Sequence, residues 1–353
     1  MSGRDARAPR RDQVQHVPAN QPLIIAVSRI VLLGGALALM VAPRFLDPGG
    51  LTMLTEFLCL LVLALMWNLL AGYADIVTVG QHAFVGIGAY AFYGAAVLLR
   101  LDPYLAIAAA GVVALIIALP AMLIVFRLRA AYLAVGTWVV AEVLMLAAGK
   151  LPNFGFGSGV SLPVAVAREF GARPAERFAT IYWLALALAI AAFLSTWLLL
   201  RSRVGLGLTA MRDNEEAAGA MGVNLLRSRI VCFLWTAPFL GLAGAIITLQ
   251  KLRISPAASF SIIDWTVFVI FIVVIGGIGS LEGPILGTIL FFVLREHLAT
   301  LGTWHLIILG TLSIVVILIE PRGLWGLLRK ALGGDVIPVS HAARADFGKA
   351  EAP

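Results

Sequence analysis

The sequence predicts an all-α polytopic membrane protein of about ten transmembrane helices, some broken or re-entrant, and three observations carry that prediction. Of 353 residues, 61% are hydrophobic and 13% charged, against about 45–50% and about 25% in an ordinary globular chain. The apolar residues are gathered into long runs, and Tyr104 to Phe126 and Phe178 to Leu200 each hold 23 residues without a charge. At about 1.5 Å per helical residue such a run spans roughly 35 Å, more than the roughly 30 Å hydrocarbon core of a bilayer. Finally, the connections between runs are short, so consecutive spans pack as one membrane unit rather than as the several domains that length alone suggests.

The elements follow in order. Residues 1–22 form a basic tail, with Arg4, Arg7, Arg10 and Arg11 preceding the apolar stretch 23–42. That stretch is longer than the h-region of about 7–15 residues in a secretory signal, so it reads as an uncleaved first helix. The string Ala36-Leu37-Ala38 keeps a cleaved reading open. Further spans are expected at 51–72, 78–99, 104–126, 131–149, 178–200, 230–250, 262–280, 284–301 and 303–320. Arg295, Glu296 and His297 interrupt the ninth, and the turn before the tenth is very short, so these two read as a hairpin of short or tilted helices. Residues 23–320 are therefore read as the transmembrane domain and 321–353 as a carboxyl-terminal tail.

Charge sets the orientation. With both termini in the cytoplasm, seventeen of the 26 basic residues fall inside and nine outside, the sense of the positive-inside rule. This makes 201–229 a cytoplasmic loop and 150–177 a periplasmic one in a multi-pass protein of the bacterial inner membrane. The basic excess lies in tails and loops without an interleaved aromatic face, which fits lipid contact and orientation and excludes nucleic-acid binding. Loop 150–177 is rich in glycine and proline and reads as irregular. Loop 201–229 differs: Arg212 to Met221 lacks proline and contains Glu215, Glu216, Ala217, Ala218 and Ala220, the composition of a short helix with Asp213 or Asn214 as its cap.

Helix breakers lie inside the spans. Gly72, Gly80, Gly86, Gly88 and Gly94 punctuate the third span and its approach, and Gly276, Gly277, Gly279, Gly283 and Pro284 the junction of the eighth and ninth. A single glycine most often serves close helix packing. Two clusters, one in each half of the chain, point to discontinuous helices around a central site and fit an inverted repeat of spans two to five and seven to ten, although no residue-level identity supports the repeat.

Polar residues inside spans are the candidates for a translocation pathway: Gln81 and His82 with Gly86 and Gly88 in the third span, and Thr137 and Glu142, beside Trp138, in the fifth. A charge at the middle of a span costs about 2.5–3.5 kcal/mol and calls for a partner or a water-filled cavity. For Glu142 a tie between helices and a pathway role weigh equally, whereas for His82 and Glu282 a structural role is favoured. Cys59 and Cys232 sit in apolar spans as small hydrophobes and give no disulfide framework. There is no Gly-x-x-x-x-Gly-Lys-Ser/Thr string and no metal-ligand spacing, so no cofactor is expected in this chain and an enzyme reading has nothing to stand on.

Several motifs carry a resemblance. Glu216-Ala217-Ala218-Gly219-Ala220-Met221-Gly222 resembles the EAA loop of bacterial ABC importer permeases. Ser202-Arg203-Val204-Gly205, Met211 to Ala218 and Met221-Gly222-Val223 are similar to permeases of the LIV type, which import branched-chain amino acids. So are Gly80 to Tyr90, Gly276 to Pro284 and Glu320 to Leu324, so the resemblance covers most of the chain from about 60 to 326. One departure is that the loop runs through Arg227-Ser228-Arg229 into the seventh span without the isoleucine and leucine-proline pair of many importers.

The resemblance implies a permease subunit of an ATP-driven importer working by alternating access, with ATP consumed by partner subunits. Arg212, Asp213, Asn214, Glu215, Glu216, Ala217, Ala218 and Gly222 would then couple it to two cytoplasmic ABC ATPase subunits. A second homologous permease would make a heterodimer, and a periplasmic solute-binding protein would deliver substrate. The same resemblance extends to permeases for urea, short amides and other amino acids. From a different class, a self-sufficient secondary transporter shares the hydropathy but needs coupling-ion ligands, for which Glu142 and Thr137 are a thin set.

Overall fold

The computed structural model describes residues 34–332 apart from 36, 129, 299–301, 303 and 321. The tail 1–22, most of the first expected span and residues 333–353 lie outside the described residues. Residues 37–41 are helical and lead into a short turn at Ala42–Arg44. The Leu39 carbonyl there accepts a hydrogen bond from Tyr182 Oη at 2.6 Å, tying this segment to the sixth span.

Helices occupy most of the described residues of each of the other nine expected spans. Asp47 caps α1 (Pro48–Asn68) by accepting from Gly50 N at 3.1 Å, with Pro48 supplying a preset first turn. The helix ends in a π turn at Leu69–Tyr73. After an irregular stretch, α2 (His82–Tyr93) also ends in a π turn, Gly94–Leu98. Then come α3 (Pro103–Val125), capped by Asp102, and α4 (Ala130–Ala148). A short α5 (Val164–Glu169) precedes α6 (Pro174–Arg201). Two short helices, α7 (Arg203–Asp213) and α8 (Glu215–Ala220), lead into α9 (Leu225–Lys251). The chain continues through α10 (Pro256–Ser259), a π turn at Ile263–Val267, α11 (Phe268–Gly276), α12 (Gly283–Leu298), α13 (Trp304–Ile319) and α14 (Gly323–Leu332).

Among the described residues, five helical stretches are each long and apolar enough to cross a bilayer, and seven if each sharply bent pair counts as one span. The helix of the third expected span is shorter, because residues 74–81, which include Gly80, are not helical. The two ends of the bundle can be told apart by the loops they carry, 150–177 at one and 201–229 at the other. At the 150–177 end, β1 (Val160–Ser161) pairs antiparallel with β2 (Arg253–Ile254), a two-residue ladder in an otherwise helical chain.

Inside a membrane, helices associate through close packing of small residues rather than through the hydrophobic effect. Here α9 is the central element, lying against α3 and α2. Ala106, Ala110, Ala114 and Ala118 of α3 recur every four residues and are fully buried. A Cβ added at Gly241 of α9 would stand 2.5 Å from the Ala114 Cβ. On the other side of α9, a Cβ at Gly88 of α2 would stand 2.0 Å from the Gly241 carbonyl oxygen, and one at Gly244 would stand 2.0 Å from the Val85 carbonyl oxygen. α1 packs on α6 and α11, and α14 folds back onto α11 and α12. Arg295, which interrupts the ninth span, is paired with Glu56 of α1 at 2.8 Å, so two opposite charges enter the bundle together.

Candidate functional site

The expected helix over Arg212 to Met221 is two helices, because Asn214 adopts an extended conformation (φ −162°, ψ 108°) that ends α7. The same Asn214 then caps α8, its Oδ1 accepting from Ala217 N at 3.0 Å. An amide that can accept locally is what a helix start needs. On α8 the Ala218 side chain is buried, while Glu216, Ala217, Gly219, Ala220 and the following Met221 are exposed. Gly222 closes the segment with φ +89°, a left-handed conformation costly to other residues, and has open space beside it. The result is a short, rigidly capped helix presenting a small-residue face with one carboxylate.

Two arginines tie this segment to the membrane helices. Arg212, at the end of α7, donates from Nη1 to the Gly279 carbonyl at 2.9 Å and lies over the Tyr73 ring, 5.4 Å from its centroid. It also meets its neighbour Asp213, an exposed pair of little energetic consequence. Arg229, in the first turns of α9, pairs through Nη2 with Glu215 of α8 at 2.9 Å and donates from Nε to the Ala74 carbonyl at 3.2 Å.

The contacts of Arg212 and Arg229 lead to the two glycine clusters, which meet each other. α11 ends at Gly276 because Gly277 (φ 129°) and Gly279 (φ 75°) hold conformations no helix contains. The turn they form is bound to the end of α1 by Asn68, which is 1% exposed. Its Oδ1 accepts from Gly279 N at 2.8 Å and its Nδ2 donates to the Ser280 carbonyl at 2.7 Å. A Cβ at Gly72 would stand 2.5 Å from Gly279 N, so the approach requires glycine there. Gly323 and Trp325 of α14 cover the other side of the turn at Gly277. Arg212, Asn68 and α14 therefore all hold one turn. Sequence reasoning missed Asn68 and the role of Arg229. The available signals were a lone amide at the end of the apolar run that follows Glu56 and a basic residue at the start of the seventh span.

Of the candidate pathway residues, Gln81, His82 and Thr137 are brought together deeper in the bundle, whereas Glu142 is not. Residues 74–81 are not helical, and Thr137 Oγ1 of α4 accepts from Val79 N at 3.2 Å. A Cβ at Gly80 would lie 2.2 Å from the Thr137 carbonyl oxygen. Gln81 Nε2 donates to the Trp265 carbonyl at 2.7 Å, and the His82 Nδ1 and Thr266 hydroxyl are 3.0 Å apart, both bonds reaching the π turn before α11. Gln81 Oε1 is buried with no hydrogen-bond partner among the described residues. Glu142 accepts from Trp138 Nε1 at 3.0 Å on an otherwise apolar, outward face of α4 that includes exposed Val135, Val139 and Val143. It also lies close enough to His82 to act on it electrostatically. Gly86 packs under the Phe260 ring and Gly88 against α9, so these two glycines serve helix contact.

Beneath the Thr137 contact, toward the 201–229 end, lies a cavity of about 620 Å³ lined by Asp75, Ile76 and Val77 of the irregular segment, by Phe126 and Leu128 of the turn after α3, by residues of α4, and by Glu215 and Arg229. Among the described residues no group of three or more histidine, cysteine, aspartate or glutamate side chains could hold a metal ion. The geometry is that of an irregular segment entering the membrane bundle, gripped above by α4 and below by the helix pair α7–α8.

The sequence is similar to that of known membrane transport proteins. Residues 50–318 match the family model of the branched-chain amino acid transport system permease component. The high-affinity branched-chain amino acid transport system permease protein LivM of Escherichia coli strain K12 is 28% identical over 329 residues, covering 87% of this chain and 77% of the relative. Its counterpart in Salmonella typhimurium strain LT2 is 27% identical over 312 residues, covering 82% and 73%. A probable branched-chain amino acid transport permease protein LivM of Methanocaldococcus jannaschii is 29% identical over 170 residues, 48% of each chain. No solved structure matches the chain.

Proposed function

Because the chain belongs to the family of branched-chain amino acid transport permease components, and is thus a multi-pass membrane transport protein, we propose that it is one permease subunit of an ATP-driven importer of branched-chain amino acids. In this reading it sits in the bacterial inner membrane with both termini in the cytoplasm. It forms a heterodimer with a second homologous permease, receives substrate from a periplasmic solute-binding protein, and is driven by two cytoplasmic ABC ATPase subunits. The chain itself holds no nucleotide and needs no cofactor; ATP is used by its partners.

The observation that carries the reading is the attachment of α8. An exposed, capped helix with a face of alanine, glycine and Glu216 suits docking into a cleft of a partner, where small residues allow close approach. Its neighbours Arg212 and Glu215 are fixed to the Gly277–Gly283 turn and, through Arg229, to the segment after α1. When the ATPases close, a displacement of α7–α8 is handed on to both glycine-rich breaks together. These are the positions where backbone rotation is least opposed by side chains. Tilting about them opens and closes a pathway past Gln81, His82, Thr137 and Glu142. That pathway needs no tight substrate site, since selection rests with the binding protein.

The test is Glu216→Lys, which reverses the one charge on the docking face without touching a packed residue. The expected outcome is a protein that inserts and assembles in the membrane but whose ATP hydrolysis is uncoupled from uptake. Coupled uptake at the normal rate would reject the assignment of α8 to the ATPase.

A further inference from the structure

Resting on that reading, we infer that the cavity at the 201–229 end binds the transported aliphatic amino acid on its way out, as a zwitterion held between Asp75 and Arg229. Its volume of about 620 Å³ falls within the roughly 300–1,000 Å³ of small-molecule sites, and an apolar wall with a few convergent polar groups is their usual make-up. Ile76, Phe126, Leu133 and Leu226 supply the apolar wall, and Asp75, Glu215 and Arg229 the polar edge.

The charges are disposed for a ligand that carries one of each sign. Arg229 uses Nε on the Ala74 carbonyl and Nη2 on Glu215. Among the described residues its Nη1 has no hydrogen-bond partner and is available to a carboxylate. Asp75 stands 3.7 Å from Arg229 Nη2, beyond good hydrogen-bond distance, and its side chain is 67% exposed. Its carboxylate is held only by this long, exposed ion pair and can turn to an ammonium at little cost. An α-amino acid presents both groups on one carbon and leaves its branched side chain to the apolar wall.

The place of the cavity fits an exit site. Residues 75–77 line it, while residues 79–80 of the same segment make the contact with Thr137 directly above. A ligand bound here has passed the Thr137 contact and lies on the side of the 201–229 loop. It also engages the arginine that holds Glu215 of α8, so amino acid accumulating inside should slow the ATPases.

The experiment uses the assembled importer in nanodiscs without its binding protein and measures binding of radiolabelled leucine together with ATPase rate. Leucine should bind saturably and lower the rate. 3-Methylbutylamine, 4-methylpentanoate and glycine, each lacking one of the three features, should bind about tenfold more weakly or worse, as expected for loss of a charge-assisted bond or of the apolar contact. Asp75→Asn keeps a residue tolerant of the left-handed φ of 54° and should lose binding, as should Ala134→Phe, which fills the cavity. Leucine binding unchanged in both variants, or no saturable binding at all, overturns the inference. So does a co-purified phospholipid present in the wild type and absent from Ala134→Phe. ATP-driven uptake into proteoliposomes that hold the same importer, with its binding protein added, separates the two levels. Uptake without leucine binding sinks only the exit site, whereas uptake independent of ATP sinks the importer reading.

Discussion

Replacing Asn68 by leucine tests whether the end of α1 and the Gly277–Gly283 turn move as one body. Leucine has nearly the shape of asparagine but neither its donor nor its acceptor. The change would leave the Gly279 N–H and the Ser280 carbonyl without the partners they now have at 2.8 and 2.7 Å. Each orphaned buried group costs about 1–3 kcal/mol. Both backbone groups are only half-buried, so the lower end applies and the total is about 2–3 kcal/mol. For a chain of this size that lowers the melting temperature by roughly 3–4 °C. Thermal unfolding of the purified permease complex measures it. Asn68→Asp keeps the acceptor for Gly279 N and should fall between the wild type and leucine. In proteoliposomes the leucine variant should also transport fewer substrate molecules per ATP, since α7 would push a turn no longer fixed to α1. An Asn68→Leu protein with unchanged melting and unchanged coupling would refute the idea that this amide joins the two glycine breaks.

Further outcomes follow from the same geometry. Arg229→Gln removes the pair with Glu215, and because the arginine is largely buried, the expected loss is about 1–2 kcal/mol of stability after allowing for solvent screening. Its clearer signature is a drop in uptake relative to ATP hydrolysis that is largest at low salt, where the wild-type ion pair is least screened. Gly88→Val forces α2 and α9 apart, because its Cβ would meet the Gly241 carbonyl oxygen at 2.0 Å. The cost is about 3 kcal/mol or more, read as poor assembly in a detergent-resistance assay, whereas Gly94→Ala, with 3.4 Å to the Phe154 ring, should change stability by less than about 1 kcal/mol. Glu142→Leu removes a carboxylate from the outward face of α4. If Glu142 serves the pathway, uptake falls while the melting temperature holds or rises, and a fall in melting temperature with normal uptake would identify a helix tie instead.

Much of this was legible in the sequence because it depends on local chemistry. Charge-free runs announce helices wherever a membrane is the solvent, and Asp102 and Asn224, residue types that favour helix starts, cap α3 and α9. Asn214 could be picked out as a cap, but its extended backbone, which divides the loop into α7 and α8, follows from packing on Gly279 and Arg229. Glycine clusters marked where helices break. They did not reveal that Gly72 and Gly279 touch, because that contact joins residues more than two hundred positions apart. Asn68 was overlooked for the same reason: its environment in sequence is uniformly apolar, and its partners are supplied by another helix. Arg295 looked like an interruption of a span only until Glu56 was placed beside it. The cavity has no sequence signature, since its wall comes from the turn after α3, from α4, α8 and α9, and from the segment after α1.

The central claim is that this chain moves amino acid only when ATPase subunits act on α7–α8. The direct measurement is leucine uptake into proteoliposomes holding this permease and its partner permease, with and without the ATPases, ATP and the binding protein. The account predicts uptake when all are present and none when ATP, the ATPases or the binding protein is left out. Uptake by the permease alone, driven by a proton or sodium gradient, would contradict it and identify a self-sufficient transporter.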